Sequence, residues 1–119
     1  MATRSVISKR NPDGTLTGVY CHFDGYLSGV GKTLRENYSD RTKTEKLISK
    51  GAISSLDKRI GTRHDFNNPP KGETNFYHRD RGERLEILNF SSVEEMVHKM
   101  NDCEYFYIFE LDDTWSVKR

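Results

Sequence analysis

The segment Glu104–Leu111, EYFYIFEL, is apolar without interruption from Tyr105 to Phe109. Successive side chains of a strand point to opposite faces. A strand with no polar face therefore needs cover on both sides, which predicts a central place in a sheet. Trp115 to Lys118 is expected to return beside it after an Asp112-Asp113 turn.

The N-terminal half supplies further strands. Ser5 to Lys9 and Leu16 to Phe23 both alternate, and NPDG, Asn11 to Gly14, places Pro and Gly between them for a tight hairpin. In the second strand Val19, Cys21 and Phe23 share one face, and Tyr20, His22 and Asp24 the other. Helical spacing then takes over. Val30, Leu34 and Tyr38 fit one face of a helix starting near Ser28, and a second helix is predicted from about Asp40 or Thr42 to Lys50. Thr42 and Glu45 have capping-box spacing, and Gly51 is a stop. In AISSL, Ala52 to Leu56, Ile53 and Leu56 serve as apolar anchors.

Residues 57 to 72 show little periodic burial and contain Pro69 and Pro70, so they are expected to form a long loop, made basic by Arg59, Arg63, His64 and Lys71. Glu73 to His78 and Arg84 to Phe90 read as strands around the charged turn RDRGE. Ser91 or Ser92 caps a helix to about Met100, burying Val93, Met96, Val97 and Met100. The expected architecture over residues 1 to 119 is a single α+β domain: an antiparallel-dominated sheet with about three short helices packed on a face.

Composition bounds what such a domain does. Among 119 residues, 31% are charged and 34% hydrophobic, with six Tyr, six Phe and one Trp, which describes a globular chain and not a disordered one. No apolar run approaches the roughly 20 residues that span a bilayer, so no membrane partner is expected. Two cysteines without partner spacing, and no secretion leader, suit a reducing cytoplasm. The net charge of +1 conceals a division: residues 1 to 72 carry 13 Lys or Arg against 7 Asp or Glu, whereas residues 73 to 119 carry 6 against 11. Asp102, Glu104, Glu110, Asp112 and Asp113 therefore have two readings. They are an acidic face for a basic groove, or the ordinary charged flanks of a buried strand. With charge nearly balanced and no basic-aromatic stripe, direct nucleic-acid binding is not favoured.

Two motifs carry candidate chemistry. In DGYLSGVGKT, Asp24 to Thr33, five residues separate Gly25 from Gly31, whereas a phosphate loop has four before its Gly-Lys-Thr end. That spacing argues against nucleotide hydrolysis. Gly25, Gly29 and Gly31 instead permit close backbone approach. The second motif is an echo: YCHFDG, Tyr20 to Gly25, and YHRDRG, Tyr77 to Gly82, each place a His two residues before an Asp at a predicted strand end. Were these ends to meet, His22, Asp24, His78 and Asp80 would form one polar cluster, able to ligate a metal or to transfer protons. The structural reading is buried polar partners for the histidines and turn hydrogen bonds for the aspartates. Arg79 and Arg81 are suited to phosphate or carboxylate, or to surface ion pairs. The candidate ligand- or partner-binding residues are Tyr20, His22, Asp24, Tyr26, Tyr77, His78, Arg79 and Arg81. No catalytic residue and no cofactor is assigned, and the metal question stays open.

The runs GVYCHFDGYLSGVGKTLRENY (Gly18 to Tyr38), KLISKGAISSL (Lys46 to Leu56) and YHRDRGE (Tyr77 to Glu83) resemble a family of small bacteriophage- and prophage-encoded proteins. The resemblance implies an accessory protein made in the bacterial host cytoplasm. By analogy with anti-CRISPR proteins it implies action by binding, as an inhibitor of a host defence or nucleic-acid-handling complex. The alternative is a nucleotide or small-molecule binder, or a metal-dependent enzyme, built on His22, Asp24, His78 and Arg79.

Overall fold

A computed structural model describes residues 2–119. One mixed sheet of seven strands forms the middle layer: β1 (Ser5–Arg10), β2 (Leu16–Cys21), β3 (Ile53–Ser55), β4 (Asn75–Phe76), β5 (Leu88–Phe90), β6 (Tyr105–Phe109) and β7 (Trp115–Lys118). The order is β4-β3-β2-β1-β6-β7, with β5 also on the outer edge of β2. Four helices accompany it: α1 (Lys32–Asn37), α2 (Arg41–Ser49), α3 (Tyr77–Arg81) and α4 (Val93–Lys99). A π-helical turn, Leu27–Gly31, leads into α1.

The single α+β domain stands, but the antiparallel-dominated sheet does not. β1 pairs β6 in parallel, and β2 pairs β3 in parallel. Both follow from chain path, because each joins strands separated by at least one helix, and long connections are what parallel pairs require. Helices also cover both faces instead of one. Alternation along β1 sends Ile7 into a core with Val19, Leu34, Leu47 and Ile48 beneath α1 and α2, while Val6 joins Leu16, Phe90, Met96 and Phe106 beneath α4. β6 divides likewise, with Tyr107 in the first core and Phe106 and Ile108 in the second. That division is why EYFYIFEL has no polar face.

Local signals set most boundaries. The NPDG hairpin closes with Asn11 N–H on the Thr15 carbonyl at 2.8 Å. Asp40, not Thr42, caps α2, its carboxylate accepting from Lys43 N–H at 2.9 Å. Gly51 ends that segment, its N–H returning to the Ile48 carbonyl at 3.1 Å. Ser92 caps α4 by accepting from Glu95 N–H, and Glu95 answers with its carboxylate on Ser91. Of the four residues expected to be buried by α4, Met96 is fully buried, and Val93, Val97 and Met100 are half-buried.

Residues 73 to 90 differ most from expectation. Only Asn75–Phe76 and Leu88–Phe90 are strands, and they pair with β3 and β2, not with each other. Tyr77–Arg81, read as the end of a strand and a turn, is a helix.

Both cysteines are buried and free, and burial pushes their thiols up, to about 12 at Cys21 and about 11 at Cys103. Thiolate is the reactive species, so native protein is expected to resist maleimide at pH 7.5 and to take up two equivalents only in denaturant. Rapid labelling of Cys21 in the native state would show instead that the end of β2 opens.

Candidate functional site

The echoing segments come close without making the expected cluster, because β3 stands between them. His22 N–H donates to the Ile53 carbonyl at 3.0 Å on one side of β3, and Tyr77 N–H to the Ala52 carbonyl at 3.2 Å on the other. Each of the four His and Asp side chains has its own surroundings. His22 Nδ1 lies 2.6 Å from the Tyr20 hydroxyl. Asp24, at a backbone φ of 59°, turns out of the strand and accepts from the Tyr26 hydroxyl at 3.1 Å. His78 Nδ1 is 2.7 Å from the Glu83 carbonyl, closing the end of α3. The Asp80 side chain is fully buried and pairs with Arg79. Among the described residues no group of three or more His, Cys, Asp or Glu side chains is placed to hold a metal ion.

The physical reason is the period of Tyr77–Arg81. A helix rotates about 100° per residue where a strand rotates 180°, so His78 and Asp80 do not share a face. Two local features impose the helix. Asp80 reaches back to accept from Phe76 N–H at 2.9 Å, satisfying a free donor at the first turn. At the other end, Gly82 N–H returns to the His78 carbonyl at 3.0 Å.

Arg79 and Asp80 are assigned to the fold. Arg79 donates Nε and Nη2 to the two Asp80 oxygens at 2.9 and 3.1 Å, and its remaining donors to the carbonyls of Ile60, Gly61 and Thr74. Its guanidinium also lies 4.6 Å from the centre of the Phe76 ring. Asp80 further accepts from His64 N–H at 3.1 Å. Burial alone would raise the Asp80 carboxyl, but hydrogen bonds from Arg79, Phe76 and His64 outweigh it and hold the group below the usual aspartate range. The His64 ring completes the clasp, with Nδ1 3.0 Å from the Thr62 carbonyl and Nε2 2.9 Å from Asn75 Oδ1. The basic loop is thereby pinned to the domain. His64 and Asn75 were not among the sequence candidates, and nothing near them in the chain marks them: Asp80 is 16 residues from His64, and Asn75 is 11.

Of the remaining candidates Tyr20 and Tyr77 line an open cavity, and His22, Asp24, Tyr26, His78 and Arg81 are not part of its lining. Tyr20 and Tyr77 form two of its walls, Ala52 at the start of β3 lies between them, and Glu83, Arg84 and Glu86 complete the lining, enclosing about 320 Å³. Sheet register explains the opening. β2 and β5 pair as Leu16↔Phe90 and Gly18↔Leu88, a register that would next place Tyr20 against Glu86. Pairing stops there because β3 claims the same edge of β2 at Cys21↔Ile53. The segment before β5 is left splayed, and the gap is the cavity. This also explains why Arg84–Ile87 is not a strand despite its alternation.

Three large hydrophobic side chains in the flanking segments are exposed. Leu85 and Ile87 are exposed, as is Phe23, which packs edge-on to the His22 ring at 4.5 Å. Arg81 lies over Phe66 and Tyr77, at 4.3 and 4.9 Å from the ring centres, and pairs with Glu83. Burial raises the Tyr20 phenol, and Arg4 nearby lowers it in part, so Tyr20 is a neutral hydroxyl at neutral pH.

Of the acidic C-terminal residues, Glu110 pairs with Arg10 at 2.8 Å and accepts from Ser116, and Asp113 pairs with Arg41. Those two are flanking charges bound within the chain. Compared with family models, curated proteins and solved structures, the chain matches none.

Proposed function

We propose that this protein is a bacteriophage or prophage accessory factor that acts by binding a protein of the bacterial host, inhibiting or modulating a defence or nucleic-acid-handling complex in the cytoplasm. The supporting observation is the open cavity between Tyr20 and Tyr77, lined also by Ala52, Glu83, Arg84 and Glu86. Tyr and Arg side chains around a pocket have the composition of an interface hot spot. Proton-transfer chemistry is poorly served by these residues, since Asp80 and Arg79 are committed to each other and His78 to the end of its helix. The binding residues are thus Tyr20, Tyr77 and Arg84, with Arg81 packed over the Tyr77 wall.

A second reading rests on the size of the cavity, which reaches the lower range of small-molecule sites. Both readings use the same walls and are separated by one experiment. Tagged protein is passed through host lysate, and retained proteins and small molecules are identified by mass spectrometry. A Tyr20→Ser/Tyr77→Ser variant with unchanged circular dichroism is expected to lose a specific host protein that a Lys32→Ala control on α1 retains. Loss of a small molecule alone would select the second reading. Equal retention by both variants would reject the cavity as the site.

A further inference from the structure

The free edge of the sheet opposite the cavity has the pattern of a surface that pairs with itself. Among the described residues β7 pairs only with β6, in the register Phe106↔Lys118, Tyr107↔Val117, Ile108↔Ser116 and Phe109↔Trp115. Glu110 N–H donates to the Thr114 carbonyl at 2.8 Å. By alternation, Thr114, Ser116 and Lys118 turn their backbone groups toward β6, and Trp115 and Val117 turn theirs outward. An edge of this kind is a template for another strand unless charge, proline or a bulge blocks it. Along β7 the one charged residue is Lys118, at its end.

We propose that β7 pairs antiparallel with β7 of a second copy of this chain, about a two-fold axis at Ser116, giving a dimer with one continuous sheet. Symmetry supports this occupant. With Ser116 facing Ser116, Trp115 of each copy stands opposite Val117 of the other, and Asp113 opposite Arg119. Val117 is 42% exposed in the single chain, and Trp115 is half-buried, so the pairing covers apolar surface at both ends of the shared ladder. The charges are complementary as well. The hairpin turn carries Asp112 and Asp113, and the strand ends in Lys118 with Arg119 following it, so each acidic turn of one copy meets the basic end of the other. Arg41 already holds one side of Asp113, with Nε at 2.8 Å, while exposed Asp112 accepts only from Thr114. Because β7 and the β3–β4 edge are at opposite ends of the strand order, such a dimer leaves both cavities away from the shared seam.

Light scattering across a concentration series is expected to give twice the 13.8 kDa of one chain, with dissociation favoured by added salt. Val117→Lys is expected to run as a single chain with unchanged circular dichroism. Ser116→Cys provides an independent check, since residues facing each other at a two-fold axis are close enough for a disulfide and the native cysteines are buried. Under mild oxidation it is expected to cross-link at least tenfold faster than a cysteine placed at exposed Ser39. Equal rates at the two positions, or a dimer that survives Val117→Lys, would overturn the proposal. Neither measurement uses the cavity, so its result is independent of the partner reading.

Discussion

Replacing Asp80 by Asn is expected to destabilise the protein by about 3 kcal/mol, in the range found when one partner of a buried ion pair is removed. For a domain of this length that corresponds to a fall in melting temperature of about 10 °C. The Asp80 carboxylate is completely buried and accepts from Arg79, Phe76 N–H and His64 N–H, while the Arg79 side chain is only 13% exposed. An amide in its place cannot neutralise the guanidinium, and it presents an NH2 group to donors. Arg79 would then remain dehydrated, with its charge uncompensated. The basic loop should loosen at the same time, because Arg79 and Asp80 hold Ile60, Gly61 and His64. Hydrogen exchange across residues 59 to 74 is therefore expected to rise more than exchange in β1 or β6.

The same carboxylate predicts a pH dependence with a definite sign. Its folded-state pKa lies below the unfolded value, so its contribution is fully present above about pH 4 and is lost as pH falls through the folded value. Wild-type protein is expected to lose melting temperature below about pH 4 more steeply than Asp80→Asn, the two curves converging in acid. Parallel curves, or a variant within 2 °C of wild type at pH 7, would mean that the clasp contributes little.

This network also shows where the sequence is readable. Elements with local causes are visible: the NPDG turn, the stop at Gly51, the Ser92–Glu95 cap and the two-faced strand β6 all follow from residues within a few positions of one another. What is hidden depends on distant partners. Tyr77–Arg81 looks like a continuing strand until Asp80 is seen to bond Phe76 N–H and to receive His64 and Arg79. The parallel β1–β6 pair joins residues 100 positions apart, and no turn signal encodes it. The echo of YCHFDG and YHRDRG identified two segments that do border one cavity. It misassigned their chemistry, since the tyrosines, and not the His-Asp pairs, form the shared walls. Ala52, Glu83, Arg84 and Glu86 escaped notice because the cavity arises from the competition of β3 and β5 for one edge of β2, which only the fold reveals.

Gly29→Ala is the second large expected effect, about 2 to 3 kcal/mol, and it tests what the glycine-rich stretch is for. A Cβ at Gly29 would lie 2.3 Å from the Asp24 carbonyl oxygen and 2.8 Å from the Tyr26 ring. Backbone cannot yield as a side-chain tip does, and that carbonyl is already engaged by Val30 N–H at 2.8 Å. The turn holds together through a second close approach at Gly25, whose N–H donates to Thr3 and whose carbonyl accepts from the buried Tyr107 hydroxyl at 2.7 Å. Forcing a methyl group into such packing ordinarily costs about 1 to 3 kcal/mol. The upper part of that range applies because the clash is with main chain. The π-helical turn is thus a packing device: its glycines let residues 24 to 31 fold tightly against Thr3 and Tyr107. If the stretch held a phosphate instead, Gly29→Ala would remove anion binding while leaving stability near wild type. The packing account requires the opposite: a melting temperature lowered by about 8 °C or more, and an equal response of wild type and variant to added phosphate or nucleotide.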